Sequence, residues 1–234
     1  MATNNSINNI YKEGRLADIK YYTSSTTWTK PSNMLDDDFI IIELVGGGGG
    51  SSSTMPTTDP SSSSVSGSGA GGGYSYKKIF GSALASSETV TIGAGGVGGT
   101  SPSGGGGGSG TTTSFGSHAS ASGGSGGGAG VAAFTPSGLG QVPPAIAGTG
   151  TGGDINIKGA RPNKSLVFYN EGINRASDVR SGGSALSTSI SSGGSSAGGR
   201  FPGGGACGAV HGALKSSRPG AAGAGGLLTI WEYY

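Results

Sequence analysis

Short apolar segments with strand-like alternation run directly into glycine tracts from residue 39 to residue 234. In Phe39–Val45, Ile40, Ile42 and Leu44 fall on one face, and Phe39, Ile41 and Val45 flank Glu43 on the other. Apolar residues on both faces predict a buried strand, and it opens straight into Gly46–Gly50. Tyr74–Phe80 and Glu88–Ile92 predict a strand pair joined by 81–87, the second burying one face through Val90 and Ile92. A weaker strand signal follows at 111–121, around Phe115; Asp154–Lys158 alternates cleanly again, and Leu166–Tyr169 follows it. The tract Gly220–Gly226 feeds a closing strand, Leu227–Tyr234. Residues 51–69 are mostly Ser, Thr and Pro and predict a long surface loop or finger, while 170–219 predict mostly turns. No segment carries the apolar spacing of a long amphipathic helix. The predicted class is all-β, with a β-sandwich-like core, glycine-rich tracts and long irregular loops.

Residues 1–30 differ from the rest, being Asn-rich at first with Gly14 as their one glycine. They predict an N-terminal attachment segment, or simply a strand pair, ahead of a glycine-rich β domain at 31–234. That domain holds nearly all of the 53 glycines in 234 residues. Each ordered glycine costs about 0.5–1 kcal/mol more than alanine in regular structure, so a small monomer with 32% hydrophobic residues struggles to offset the sum. Two outcomes follow: disordered tracts, or tracts that pack through backbone hydrogen bonds and oligomerisation. Fourteen Tyr and Phe beside β-branched residues, with a net charge of +2, favour order. Ordered tracts have one economical geometry, the polyproline II helix, which has no internal hydrogen bonds. Packed side by side, such helices satisfy one another's amides. Flexible loops between strands are the alternative.

Charge and chemistry narrow the function. Fourteen Lys and Arg against 12 Asp and Glu are scattered, without the basic footprint of a nucleic-acid binder. One cysteine, Cys207, gives no intramolecular disulfide framework. The polar N-terminus lacks an export signal's apolar core, and Phe39–Val45 is far too short to insert in a membrane. The expectation is synthesis in a cytoplasm with no membrane insertion. At this glycine content Gly-x-Gly-x-x-Gly matches arise by chance, and none opens a helix after a strand. His118, Cys207 and His211 lack the clustering of a metal site, and Cys207 with His211 lacks the helix that would pair them as a nucleophile and base. A glycosidase pair among Asp154, Glu171 and Asp178 has no supporting context. The expectation is a protein without catalysis, cofactor or metal.

The landmarks Thr27-Trp-Thr-Lys-Pro31, Ile41–Gly50, Ser86–Gly96, Thr113–Gly116, Gly152–Gly159 and Gly220–Tyr234 occur in an order that resembles the glycine-rich domain of bacteriophage tail-fibre proteins. The resemblance covers about residues 27–234. It implies a virion protein of the tail tip or fibre, trimeric as fibres are. Such a protein would dock on another virion protein through residues 1–30 and bind a host surface glycan or outer-membrane protein. The alternative is a purely structural virion component of baseplate, tail or capsid. For a receptor surface, aromatic faces stack on sugars while amides and guanidinium groups bond hydroxyls. Phe134, Gln141, Tyr169, Asn170, Arg200, Phe201 and His211 lie in the irregular segments and form the predicted binding set.

Overall fold

The computed structural model describes residues 15–100, 102–133, 139–170, 173–176, 179–192 and 194–234. Its chain shuttles between two ends. It starts in β1 (Leu16–Tyr22), β2 (Thr26–Thr29) and β3 (Phe39–Val45), runs outward through 46–54, and crosses the far end through β4 (Ser63–Val65). It returns through 66–73 to β5 (Tyr74–Phe80) and β6 (Ser87–Thr91), goes out through 93–99 and back through 105–112 to β7 (Thr113–Phe115) and β8 (Ala119–Ala121). Tract 122–130 leads out to β9 (Val131–Ala133) and β10 (Leu139–Val142), and 143–149 leads back to β11 (Gly150–Thr151) and β12 (Ile155–Ile157). The remaining short strands are β13 (Ser165–Asn170), β14 (Ile173–Ala176), β15 (Val179–Arg180), β16 (Ser191–Ser192) and β17 (Val210–His211). Tract 218–226 then returns to β18 (Leu227–Tyr233).

At the near end two antiparallel five-stranded sheets, ordered β1-β18-β3-β5-β12 and β11-β8-β7-β6-β2, share one core. Ile40, Ile42 and Leu44 of β3 and Leu228 and Ile230 of β18 point inward to meet Trp28, Val90 and Phe115 of the second sheet. The Trp28 and Phe115 rings meet edge to face, with centroids 5.7 Å apart. Lys20 and Glu232 form an ion pair at the rim of this core, and Trp28 Nε1–H donates to the same carboxylate oxygen at 2.7 Å. Burial alone would lower the Lys20 pKa; the bond and charge of Glu232 override it and leave it above the usual lysine value.

Between the two ends lies a bundle of extended glycine tracts. Along 46–54 the backbone N–H groups address three neighbours in strict rotation. Gly46, Gly49 and Ser52 donate to Gly73, Ala70 and Gly67; Gly47, Gly50 and Ser53 to Thr111, Gly108 and Gly105; Gly48, Ser51 and Thr54 to Ala224, Ala221 and Arg218. These nine bonds span 2.9–3.0 Å. A three-residue repeat with every bond going to another tract is the signature of polyglycine II helices packed together. The carbonyls point to three further tracts: Gly96 and Gly99 N donate to Gly48 and Ser51, Gly124 and Gly127 N to Gly47 and Gly50, and Ala206 N to Gly49. The central helix is therefore ringed by six others. Such contact requires glycine. A Cβ on Gly49 would sit 2.0 Å from the Ser125 carbonyl oxygen.

Four sequence expectations need correction. Residues 51–54 and 66–69 are buried as the continuation of two bundle helices, 62–65 are buried in and beside β4, and only the turn near 55–61 reaches the surface. There the side chains take over bonding: Ser52 Oγ accepts from Gly67 N and Ser51 Oγ from Ala221 N. Second, β5 and β6 are not partners. β5 pairs with β3 and β12, β6 with β2 and β7, in opposite sheets. Third, β3 buries its inward face fully but its outer face only at Val45; Phe39, Ile41 and Glu43 are half-buried on the outside. Fourth, within 170–219, residues 181–184 and 203–209 join the bundle instead of forming turns. The described part of 1–30 lies in the sandwich, β1 pairing with β18 and β2 with β6.

Candidate functional site

The far end of the bundle gathers the turns that connect its helices. Two three-stranded sheets, β10-β13-β14 and β17-β4-β9, cap it. Val65, Val142, Val167, Val179 and Cys207 form a small core beneath them. The cap gives short turns a rigid base, as a loop presented on a scaffold requires. Cys207 is buried and its thiol donates to the Val179 carbonyl at 2.7 Å.

The turn after β17 is the best-defined element there. His211 Nε2 lies 3.0 Å from Thr54 Oγ1 and its Nδ1 lies 3.1 Å from the Gly212 carbonyl. Thr57 clamps the same turn. Its Oγ1–H donates to the Gly212 carbonyl at 2.9 Å, its N–H donates to the Lys215 carbonyl, and the Lys215 N–H donates back to Oγ1. Held on both sides, the turn carries Leu214 outward, 63% exposed and with φ at +54°. An L residue rarely adopts this left-handed conformation without glycine's freedom, and Leu214 is the one described non-glycine residue that does. Backbone strain retained at an exposed turn marks a candidate functional position. Nearby, Arg218 donates from its guanidinium to the Gly194 carbonyl and, at 3.0 Å, to Ser195 Oγ, which ties a second turn to the first.

The predicted binding residues do not assemble into one surface. Gln141 on β10, exposed, and Tyr169 and Asn170 on β13 share one three-stranded sheet of the cap. Phe134 lies outside the described residues. Arg200 and Phe201, both exposed, sit in the turn before 203–209, where Gly203 N bonds the Gly225 carbonyl at the sandwich end of the bundle. They are thus a bundle's length from the cap. His211 is at the cap but only 6% exposed, so it organises the turn and presents no surface of its own. Sequence reasoning missed Leu214. Its only sequence signal was a large apolar residue in the Gly-x-Leu-Lys stretch 212–215, within a region predicted as mostly turns, and neither its φ nor its clamp is written in composition.

Chemistry elsewhere is limited. Among the described residues no group of three His, Cys, Asp or Glu could hold a metal ion, and no helix is long and apolar enough to cross a membrane. His118 Nε2 lies 3.0 Å from Glu88 Oε1 in the second sheet, against the Phe115 ring. Asp154 lies at the sandwich end, where it accepts from the Lys78 N–H at 2.9 Å.

A family model described as a glycine-rich domain matches residues 22–233. The chain belongs to the glycine-rich domain family. The match begins at Tyr22, the last residue of β1, and ends at Tyr233, the last of β18, so it spans the other strands of the sandwich as well as the bundle and cap. No curated protein matches the sequence.

Proposed function

We propose that this glycine-rich domain is a bacteriophage tail-tip or tail-fibre protein that binds a host surface receptor during adsorption. The receptor would be a surface glycan or an outer-membrane protein, met by the turns of the far cap. The protein would be made in the bacterial cytoplasm, sit on the virion as a homotrimer, and dock to another virion protein through residues 1–30. The observation that carries the reading is the division of labour along the bundle. The first and last described strands, β1 and β18, pair at the near end, and the clamped turn bearing Leu214 lies at the other. A layer of mutually bonded polyglycine II helices holds the two ends apart. Such an object transmits position and presents turns at its end without needing a catalytic centre. The ordered landmarks shared with tail-fibre glycine-rich domains add to this support.

Binding of the purified protein to intact candidate host cells, with competition against phage adsorption, tests the reading. Saturable binding that blocks adsorption is expected, and exchanging the turn 212–216 should abolish it. A folded protein that neither binds cells nor competes would instead favour a structural virion component.

A further inference from the structure

Asp18, Lys20 and Glu232 form a cluster of titratable groups at the rim of the sandwich core. Asp18 stands opposite Glu232 in the β1–β18 register and Lys20 stands opposite Ile230, so all three side chains rise from one face of the sheet. Glu232 is fully buried. Its Oε1 meets the Lys20 Nζ and accepts from the Trp28 indole N–H, the latter at 2.7 Å. Its Oε2 has no hydrogen-bond partner among the described residues. Asp18 Oδ2 lies 3.5 Å from the Lys20 Nζ. A carboxylate held out of water with one oxygen unsatisfied is costly, and here an amine is held against it.

We propose that Lys20 and Glu232 condense into an amide that cross-links β1 to β18. The Lys20 nitrogen attacks Glu232 Cδ, an N–C bond forms, the bond from Cδ to Oε2 breaks, and Oε2 leaves as water. Of the three ammonium protons, two depart with that water and one stays on the amide nitrogen. Net charge is unchanged, and no oxidant or activated donor is needed. Asp18 takes the first proton from Lys20, passes it to the leaving oxygen and ends as it began. The Trp28 N–H faces Oε1, where negative charge gathers in the tetrahedral intermediate. Burial by itself favours the neutral amine; the bond and charge of Glu232 hold Lys20 above its ordinary value, and that support vanishes as the carboxylate is consumed. Contact between the groups stands in for concentration, at effective values of about 10⁵–10⁸ M for well-aligned pairs. The product suits the site better than the ions do. No charge stays buried, the carbonyl keeps the Trp28 bond, and the unpartnered oxygen has left. The charged pair is the form in which the chain folds, and its energetics and titration are those of protein not yet condensed. β1 is an edge strand whose sheet partner is β18, so the cross-link stops a pull on the residues ahead of Lys20 from stripping β1 away. None of this depends on receptor binding.

Mass spectrometry of the full chain, folded as isolated and then denatured, tests the cross-link. The protein is expected to be lighter than its sequence by one water, with or without Met1, and proteolysis should yield a branched peptide joining Lys20 to Glu232. Lys20→Arg keeps the cation and should show the full sequence mass. Asp18→Asn, altered at the exposed rim, should keep the fold yet accumulate unlinked protein of full mass, an effect that a merely structural Asp18 would not produce. The full sequence mass in folded wild type overturns the cross-link, and so does a lost water that maps to other residues. Complete linkage in Asp18→Asn overturns the relay assigned to Asp18.

Discussion

Trp28 and Glu232, 204 residues apart in the chain, meet at 2.7 Å where the indole N–H donates to a fully buried carboxylate. The bond ties the edge strand of one sheet to the C-terminal strand of the other. Lys20 supplies the counter-charge on the same oxygen, and the second oxygen, Oε2, has no hydrogen-bond partner.

Removing the cation should therefore cost more than an exposed ion pair does. Lys20→Met leaves a buried carboxylate bonded only to Trp28, and the expected loss is about 3 kcal/mol. Lys20→Met combined with Glu232→Gln should recover part of it, because no charge is then buried. Urea denaturation of the single and double variants measures the coupling.

Glycine within the bundle is required by backbone contact. Gly49→Ala places a methyl 2.0 Å from the Ser125 carbonyl oxygen and should cost roughly 3 kcal/mol or prevent assembly of the bundle. Gly106→Ala is the matched control. Its Cβ would have nothing nearer than the Gly127 carbonyl oxygen at 3.5 Å, so its stability should stay level or rise by about 0.4–1 kcal/mol from reduced freedom of the unfolded chain. Thermal melts of the pair decide it.

Stability should fall on the alkaline side. Burial, then the hydrogen bond to Glu43, raises the Tyr74 pKa well above its ordinary 10.0. Burial raises Tyr22 as well, and Lys20 is raised from 10.5. A group whose folded pKa lies above its unfolded one keeps its full contribution below the unfolded value and loses it as pH climbs toward the folded one. The decline should therefore begin near pH 10. Tyr74→Phe should lower stability at neutral pH by about 1 kcal/mol through the lost bond and flatten the alkaline slope. Denaturation midpoints measured from neutral pH to above pH 10 follow both.

Leu214 separates stability from recognition. Leu214→Asn relieves a left-handed leucine backbone and should stabilise the protein by roughly 0.5–1 kcal/mol, since Asn tolerates that conformation. Under the proposed function the same change removes an exposed apolar contact and should weaken binding to host cells. Higher melting temperature with unchanged binding would place the receptor contact elsewhere.

Much of the fold was legible because strand alternation is local. Phe39–Val45, Tyr74–Phe80, the strand within Glu88–Ile92 and the closing strand all stand where their patterns predict. What failed was pairing and burial. Tyr74–Phe80 and Glu88–Ile92 are neighbours in sequence, yet they lie in different sheets because β3 and β12 take both edges of β5. The Ser-rich stretch 51–54 reads as solvent-facing by composition, but it continues a helix whose small hydroxyls hydrogen-bond neighbouring backbone. The candidate site was the least legible part. Arg200 and His211 are close in sequence, yet tract 203–209 carries them to opposite ends.

The amino-acid sequence by itself determined the all-β class, the strands and the places where only glycine stands. A three-residue backbone repeat leaves no hydrophobic period, so which tract bonds which is invisible until all of them are in place. Only the tertiary structure decided that Gly46, Gly47 and Gly48 address three different neighbours and that Leu214 is held outward by Thr57. Each depends on contacts between residues far apart in the chain, and glycine, having no side chain, carries no local mark of its partner.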